Sequence, residues 1–522
     1  MKISNHHLLF SRASALALLL ASLSFATTPA RAANGTWAGN VSGNWSDTAN
    51  WTPVAVPGGA NSTVSLTYNL SLSDKTVTID TTSRTVGILN IGDEATAYRS
   101  YTLAASGGAS LILDNGLNNA QINKIYGTGT GATAADTISA PLLLNSSLVI
   151  SDNALARLIV NGGVTANSAG IKTITNQGTE AYPVQMNGVI GDGSGQIAVT
   201  QNSTTSSLTL NGTNTYSGNT LIRAGTLTLG NNLALQNSVL DTSGAGTLAF
   251  SSGINTPTFG GLTGAANLTL ASNVTGLTLN PGTGVTATYS GVLGSTTAGM
   301  TLTKTGLGTQ VLSGNNTYTG GTTVSAGTFF VDGNQTAATG AVNILAAATL
   351  GGDNGIIGGN TTIADNATLS PGKTGESLLT FSNNLTFAGT NSKVIIGIAG
   401  AGRGSAGGYD AVDVGGVLGY NGNMTFAMNA AIADGTYDIY SSGSGTALNF
   451  IGSFASLAFS GGHYTGAWSS GSGIWTANSK GQDFTFTEAT GDLVVAVPEP
   501  ASISLLVLGA AALFWRRRKC PA

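Results

Sequence analysis

The sequence is poor in the residues that most enzyme and metal sites require. Among its 522 residues there are three histidines and one cysteine, and charged residues make up only 8% of the chain. His6 and His7 lie at the extreme N-terminus, which leaves His463 as the one histidine of the long central region. Sites built from several His and Cys ligands, and nucleophile–histidine–acid triads, therefore lack their components. The one cysteine, Cys520, cannot form an internal disulfide.

The charge balance excludes one class of partner and the composition excludes disorder. The net charge is −4, and no basic region occurs outside the C-terminal tail, so nucleic-acid binding is excluded. Glycine accounts for 75 residues, which is about twice its usual share. Because 41% of the chain is hydrophobic, it contains enough apolar surface to fold.

The central region contains an internal repeat. Residues 208–232, LTLNGTNTYSGNTLIRAGTLTLGNN, align with residues 310–334, QVLSGNNTYTGGTTVSAGTFFVDGN, at a constant offset, and 11 of the 25 positions are identical. The shared positions are Gly212/Gly314, Asn214/Asn316, Tyr216/Tyr318, Gly218/Gly320 and Gly225/Gly327, among others. The similarity extends upstream, so the clearest copies cover 187–232 and 290–334.

Short strands separated by turns dominate the region between the two termini. Apolar residues alternate with Thr or Ser, as in Leu227-Thr228-Leu229, and Gly, Asn or Asp then interrupts each run. Strands recurring about every 20 residues predict coils that bury their apolar face by stacking on neighbours, that is, an all-β solenoid of about 17 coils over residues 66–391. A twisted array of β-sandwiches is the alternative.

These repeated segments resemble the autotransporter-associated β-strand repeat, also called the passenger-associated transport repeat. The resemblance rests on GLGTQVLSGNNTYTGGTTVSAGTFFVDG and NGTNTYSGNTLIRAGTLTLG. It implies a right-handed parallel β-helix exposed on a bacterial surface.

The N-terminus has the features of a secretory signal peptide. Lys2 and Arg12 precede the apolar stretch Ala13–Leu23, and Ala30 and Ala32 form a small-x-small cleavage site. We therefore expect residues 1–32 to be removed on export.

The C-terminus combines a short apolar segment with a basic stop. Residues 501–515 carry no charge but would span only about 22 Å as a helix, so we predict a short transmembrane helix. The basic residues that follow, Arg516, Arg517, Arg518 and Lys519, should remain cytoplasmic. The triplet Pro498, Glu499 and Pro500 lies directly on the outer side, where a plain anchor would not need it.

Residues 497–519 resemble the PEP-CTERM sorting tail of Gram-negative bacteria. The resemblance implies recognition by an exosortase, a membrane-embedded processing enzyme, with cleavage near the Pro-Glu-Pro triplet and delivery to the cell surface or extracellular matrix. It also implies a link to extracellular polysaccharide and biofilm.

Two flanking segments differ from the repeats. Residues 33–65 contain Trp37, Trp45 and Trp51, which we expect to cap the first coil, with stacking on sugar rings as the alternative. Residues 392–496 are more aromatic and less repetitive, and predict a C-terminal β unit that caps the other end.

The sequence settings of the candidate catalytic carboxylates favour a structural role for these residues. Asp353 and Asp365 lie in turn-like settings, GGDNG and IADNA, and Asp410 and Asp413 lie in the strand-like YDAVDV. We expect no cofactor and no metal, and predict a non-enzymatic surface or matrix protein. The alternatives are a glycan-binding adhesin and a β-helical polysaccharide-active enzyme.

Overall fold

The computed structural model describes residues 32–71, 73–93, 98–125, 135–373 and 375–498, and this part of the chain is all-β. One 3-10 turn, Thr48–Asn50, is the sole helical element among these residues. The strands assemble into three parallel faces that wind around a shared apolar interior, followed by an antiparallel sheet at the C-terminal end.

Face 1 is the longest sheet and defines the number of coils. Of its 19 strands, Trp51–Thr52 pairs antiparallel with the first strand, and the other 18 pair in parallel with the equivalent strands of neighbouring coils. In chain order they are Gly35–Trp37, Thr63–Leu66, Ile88–Ile91, Ala120–Lys124, Leu148–Asp152, Ile171–Asn176, Gln196–Asn202, Thr220–Ala224, Leu235–Asp241, Thr258–Thr263, Gly276–Leu279, Thr301–Lys304, Thr322–Val324, Val342–Ile344, Thr361–Ile363, Leu385–Phe387, Leu418–Tyr420 and Phe450–Gly452. At about 4.8 Å per strand, the stack is about 80 Å long.

Face 2 consists of two parallel sheets of nine and eight strands. The first contains Gly43–Asn44, Lys75–Ile79, Tyr101–Ala105, Ala135–Ile138, Arg157–Val160, Val184–Met186, Leu208–Leu210, Thr226–Leu229 and Thr247–Phe250. The second contains Thr286–Tyr289, Thr309–Leu312, Thr328–Val331, Thr349–Gly352, Thr368–Pro371, Lys393–Gly397, Asn423–Ala427 and Ser456–Ser460. Between the two sheets one short coil contributes a single bridge, Gly264 to Tyr289, and leaves a cleft of about 220 Å³.

Face 3 is made of shorter strands in three parallel sheets of five, two and five strands. The first contains Arg84–Val86, Leu111–Leu113, Leu142–Leu144, Val164–Ala166 and Ile190–Gly191. The second pairs Leu268–Leu270 with Leu293–Ser295, and the third contains Asn334–Gln335, Ile356–Ile357, Leu378–Phe381, Ala411–Val414 and Tyr440–Ser441. Each face 3 strand leads through a corner into face 1 of the next coil.

Alternation along most strands creates the interior. Most inward positions are apolar and buried, and many outward positions are Thr, Ser, Asn or Gln, as expected for a sheet with one face in the core. Register between coils places like residues on top of one another. On face 2 the interior column consists of Leu103, Ile138, Val160, Met186, Leu210 and Leu229, and all six are buried. Burial of each such side chain contributes about 1.5–3 kcal/mol to folding.

Asparagine side chains tie the corners of successive coils together. Asn187 donates its amide to Asn161 at 2.8 Å, and Asn211 donates to Asn187 at 2.6 Å. Each amide is both donor and acceptor, so a column of them satisfies itself along the solenoid axis.

The residues shared by the two repeat copies make the same hydrogen bonds in each copy. The side-chain oxygen of Asn214 accepts the backbone N–H of Ile190 in the preceding coil at 2.9 Å, and Asn316 accepts that of Leu293 at 2.7 Å. The Tyr216 hydroxyl is 2.6 Å from the Thr220 hydroxyl. In the second copy the same contact joins Tyr318 and Thr322 at 2.8 Å, and both tyrosines are buried. The repeat therefore encodes one corner of a coil and its attachment to the coil before it.

Each end of the solenoid is covered. At the N-terminal end, the antiparallel strand Trp51–Thr52 pairs with Gly35–Trp37 on the edge that faces away from the next coil. At the C-terminal end, an antiparallel sheet contains Gly435–Asp438, Asp492–Ala496, Gln482–Thr487, Ile474–Ser479 and Ser469–Gly471. Its Phe484 and Phe486 rings pack on Phe459 and Phe426 of the last coils at 5.0 and 6.0 Å.

The prediction of an all-β parallel solenoid is confirmed, and the stack includes more of the chain than residues 66–391. Parallel pairing begins at Gly35 and continues to Ser460, beyond both limits of 66–391. Coils without the repeat motif fill the same faces, because stacking requires inward apolar residues and not a fixed sequence.

The predicted membrane segment lies in a part of the chain that the structure does not describe. No helix of the described residues is long and apolar enough to cross a membrane. The predicted helix at 501–515, the basic residues after it, and residues 1–31 of the expected signal peptide lie outside the described residues.

Substitution of a repeat glycine tests the corner geometry. Gly225 has a φ of +67°, and a Cβ atom there would lie 1.8 Å from the Ser203 carbonyl oxygen. Gly225→Ala should destabilise the protein by at least about 2 kcal/mol, measured as a shift in urea midpoint. The control Gly253→Ala adds a methyl group with no atom within 4 Å, and should change stability by less than about 0.5 kcal/mol. Equal midpoints for the two variants would contradict this account of the corner.

Candidate functional site

The three tryptophans of the N-terminal segment form one buried cluster. Ring centroids lie 5.0 Å apart for Trp37 and Trp51, and 4.9 Å apart for Trp45 and Trp51. Each indole N–H donates to a backbone carbonyl, those of Val41, Pro57 and Trp45. All three side chains are 0% exposed. No indole face is therefore open to a sugar ring, and stacking would require this end of the solenoid to open.

Asp353 and Asp365 hold neighbouring coils and do not face each other. Asp353 lies 3.7 Å from the ammonium of Lys373, which also contacts Asp332 at 2.8 Å. Asp365 accepts the backbone N–H of Asn391 in the next coil at 2.8 Å, and this bond lowers the pKa of Asp365. The sequence setting predicts hydrogen bonds within the turn. The contacts found here join each carboxylate to the next coil.

Asp410 and Asp413 have different surroundings. Asp410 accepts the backbone N–H groups of Ser377 at 2.8 Å and Gly397 at 2.7 Å, one on each oxygen. Burial nevertheless raises the pKa of Asp410 to about 7. Asp413 is ion-paired with Arg403 at 2.7 Å. Asp410 should therefore titrate near neutral pH.

The remaining chemistry-bearing residues do not gather into a metal site. His463 packs its ring against Tyr464 at 4.7 Å. Within the described ranges, no group of three or more His, Cys, Asp or Glu side chains could hold a metal ion.

A buried charge cluster that sequence reasoning missed lies inside the N-terminal half. Lys124 and Asp136 form an ion pair at 3.1 Å, and both side chains are 0% exposed. The Lys124 ammonium lies 4.8 Å from the centre of the Tyr98 ring. Asp152, the register partner of Lys124 on the next coil, is also buried. The available signal was a charged residue at an inward position of a strand, in AQINK, ADTI and LVISD.

The chain leaves the folded body from an interior strand of the terminal sheet. Strand Asp492–Ala496 pairs with Gly435–Asp438 on one side and Gln482–Thr487 on the other. Val497 and Pro498 follow directly, and Glu499 and Pro500 lie outside the described residues. The predicted sorting triplet thus starts two residues after a strand that is hydrogen-bonded on both edges.

Comparison with known protein families identifies the two recognisable parts of the chain. Residues 496–519 match the PEP-CTERM protein-sorting motif. The chain carries a PEP-CTERM sorting signal. Residues 205–229 and 302–329 match the passenger-associated-transport-repeat. Both expectations from the sequence are confirmed, and each repeat match covers the corner and the strands described above.

One relative shares part of the sequence. The chain is 43% identical over 74 residues to the adhesin BmaC autotransporter of Brucella suis biovar 1 (strain 1330). This region is 14% of the present chain and 2% of that adhesin, so the chain spans only a small part of the relative's length.

The shifted pKa of Asp410 predicts a pH dependence of stability. Its folded-state pKa, about 7, lies above the ordinary value of 3.8. Between these values the native carboxyl keeps a proton that the unfolded chain has released, so its contribution to stability is lost as pH rises through that window. Asp410→Asn should flatten the decline in urea midpoint between about pH 5 and about pH 8.

Asp365→Asn is the matched control, because the pKa of Asp365 is lowered and its contribution is lost only as pH falls below the ordinary range. It should leave the slope between about pH 5 and about pH 8 unchanged. A slope unaffected by Asp410→Asn would contradict the assignment.

Proposed function

We propose that this chain is an exported, non-enzymatic structural protein of the cell surface or extracellular matrix. The observation that carries the proposal is the PEP-CTERM motif at 496–519, which begins at the last residue of the final strand of the folded body. In this proposal the bacterium is Gram-negative, and the signal peptide at 1–32 directs export. The C-terminal helix then holds the chain briefly in the inner membrane, and an exosortase-type enzyme processes it near Pro498, Glu499 and Pro500.

The fold supports a role as a scaffold. Parallel ladders over 18 strands of face 1 give a rod about 80 Å long whose stability comes from burial and backbone pairing. The right-handed winding that the repeat resemblance implies belongs to this proposal, as does the link to exopolysaccharide and biofilm. Threonine and asparagine columns on the outside provide many uncharged hydrogen-bonding groups to a hydrated polysaccharide matrix.

The sorting step can be tested with one substitution. Glu499→Ala should leave a full-length species in the membrane fraction, because the processing enzyme would no longer recognise the triplet. The protein is followed by immunoblot of membrane and surface fractions and by intact mass. Glu180→Ala, which removes a glutamate from the body of the solenoid, is the control and should be processed normally. Normal processing of Glu499→Ala would refute recognition through this residue.

A second candidate is an adhesin. It is supported by the 43% identity over 74 residues to a protein named as an adhesin autotransporter. If the chain is only a scaffold, cells that display it should bind immobilised glycans and host cells no better than cells lacking it. Saturable binding that depends on the chain would favour the adhesin. Replacement of outward residues, such as Thr303→Ala and Thr323→Ala, should then reduce binding while leaving the interior intact.

A further inference from the structure

We propose that Lys124 and Asp136 condense to form an intramolecular amide that cross-links one coil of the solenoid. Lys124 ends the face 1 strand Ala120–Lys124, and Asp136 lies in the next strand, Ala135–Ile138 of face 2. Both side chains point inward and are fully buried, and the Lys124 nitrogen lies 3.1 Å from the Asp136 Oδ2 atom. The two groups that would react are therefore already held in contact.

The surroundings favour the uncharged forms that the reaction requires. Removing an ammonium and a carboxylate from water costs several kcal/mol per ion, so a buried pair gains by becoming neutral. Burial raises the pKa of Asp136 and raises that of Asp152 to about 7. Two carboxylates thus share one interior with the Lys124 ammonium, and burial favours the protonated form of both carboxylates. Transfer of a proton from Lys124 to a carboxylate gives a neutral amine, which is the nucleophilic form.

Asp152 is placed to carry the proton. It is the register partner of Lys124 on the neighbouring coil, and both residues occupy inward positions. Its Oδ1 atom accepts the Ala154 backbone N–H at 3.3 Å, whereas Oδ2 is buried and has no hydrogen-bond partner among the described residues. That oxygen is available on the neighbouring coil to act as a general base and acid.

A backbone donor polarises the carboxyl group that would be attacked. The Asp136 Oδ1 atom accepts the backbone N–H of Tyr101 at 2.6 Å. Negative charge that develops on this oxygen during attack would be stabilised by a donor that is already in position.

The proposed step balances without any other reactant. The Lys124 nitrogen forms a bond to the Asp136 Cγ atom, and the bond from Cγ to Oδ2 breaks. Of the three ammonium protons, one stays on the amide nitrogen and two leave with Oδ2 as water. Asp152 accepts one of these protons and returns it to the leaving oxygen, so it is unchanged at the end. No electron is gained or lost.

The amide would close residues 124–136 into a covalent ring. The body of this protein has no cysteine, so a disulfide cannot serve this purpose. Covalent closure restricts the unfolded chain more than the folded one. Lys304 is another buried lysine, but its ammonium contacts the carbonyl oxygens of Thr305, Gly306 and Ala326, so it should remain a free amine.

Tryptic digestion of the denatured full-length chain tests the proposal. Trypsin does not cleave after an acylated lysine, so the cross-linked chain should yield one peptide, residues 100–157. This peptide should be lighter than its calculated mass by one water molecule. Peptides 100–124 and 125–157 at their encoded masses, recovered from folded protein, would overturn the proposal. Loss of water with cleavage after Lys124 would indicate an aspartate succinimide and would overturn it equally.

Three variants separate the roles of the residues. Lys124→Arg should abolish the linked peptide, because an arginine stays protonated. Asp152→Asn keeps both reacting groups, and should slow formation of the linked peptide by at least about 100-fold. Lys304→Arg is the matched control and should leave the linked peptide unchanged. If Asp152→Asn formed the amide at the wild-type rate, the proton-carrier role would be wrong. The digest of the wild-type protein tests whether the amide forms, even if a variant fails to fold.

Discussion

Parallel backbone pairing in register between successive coils is the constraint on which the rest of this structure depends. A single coil cannot bury its apolar side chains alone. Burial requires a neighbouring coil that places a similar side chain above each of them. The inward column from Leu103 to Leu229 shows how the register arranges this. The same register aligns Asn161, Asn187 and Asn211 at a corner, so polar groups are satisfied along the axis as well.

The two ends follow from this constraint, because the first and last coils each have one side without a neighbour. At the N-terminal end three indoles pack together, and an antiparallel strand pairs with the first strand. At the C-terminal end an antiparallel aromatic sheet covers the last coils. The sorting signal follows an interior strand of that sheet, so removal of the tail beyond Pro498 would leave every described strand in place.

Much of the fold could be predicted from the sequence, because the pattern that determines it is local. Alternation such as Leu227-Thr228-Leu229 defines a strand, and the repeat residues Asn214, Tyr216 and Gly225 define a corner. The first and last residues of the stack were harder to predict, because coils outside the repeats have different residues at the same positions. The Lys124–Asp136 pair could not be predicted, because it depends on which strands of a coil face each other across the interior. The sequence predicts that the tryptophans lie at the end of the solenoid, and the enclosure of each indole could be seen only in the structure.

Distances between spin labels on one outward column test the stacked arrangement most directly. Thr278, Thr303, Thr323, Asn343, Thr362 and Thr386 are successive register partners on face 1. Labels at Thr278 and Thr386, in a chain with Cys520→Ser, should lie about 24 Å apart, and labels at Thr303 and Thr362 about 14 Å apart. Narrow distributions that scale with the number of intervening coils are the result that the account predicts. Broad distributions, or a separation that does not scale with coil number, would contradict it.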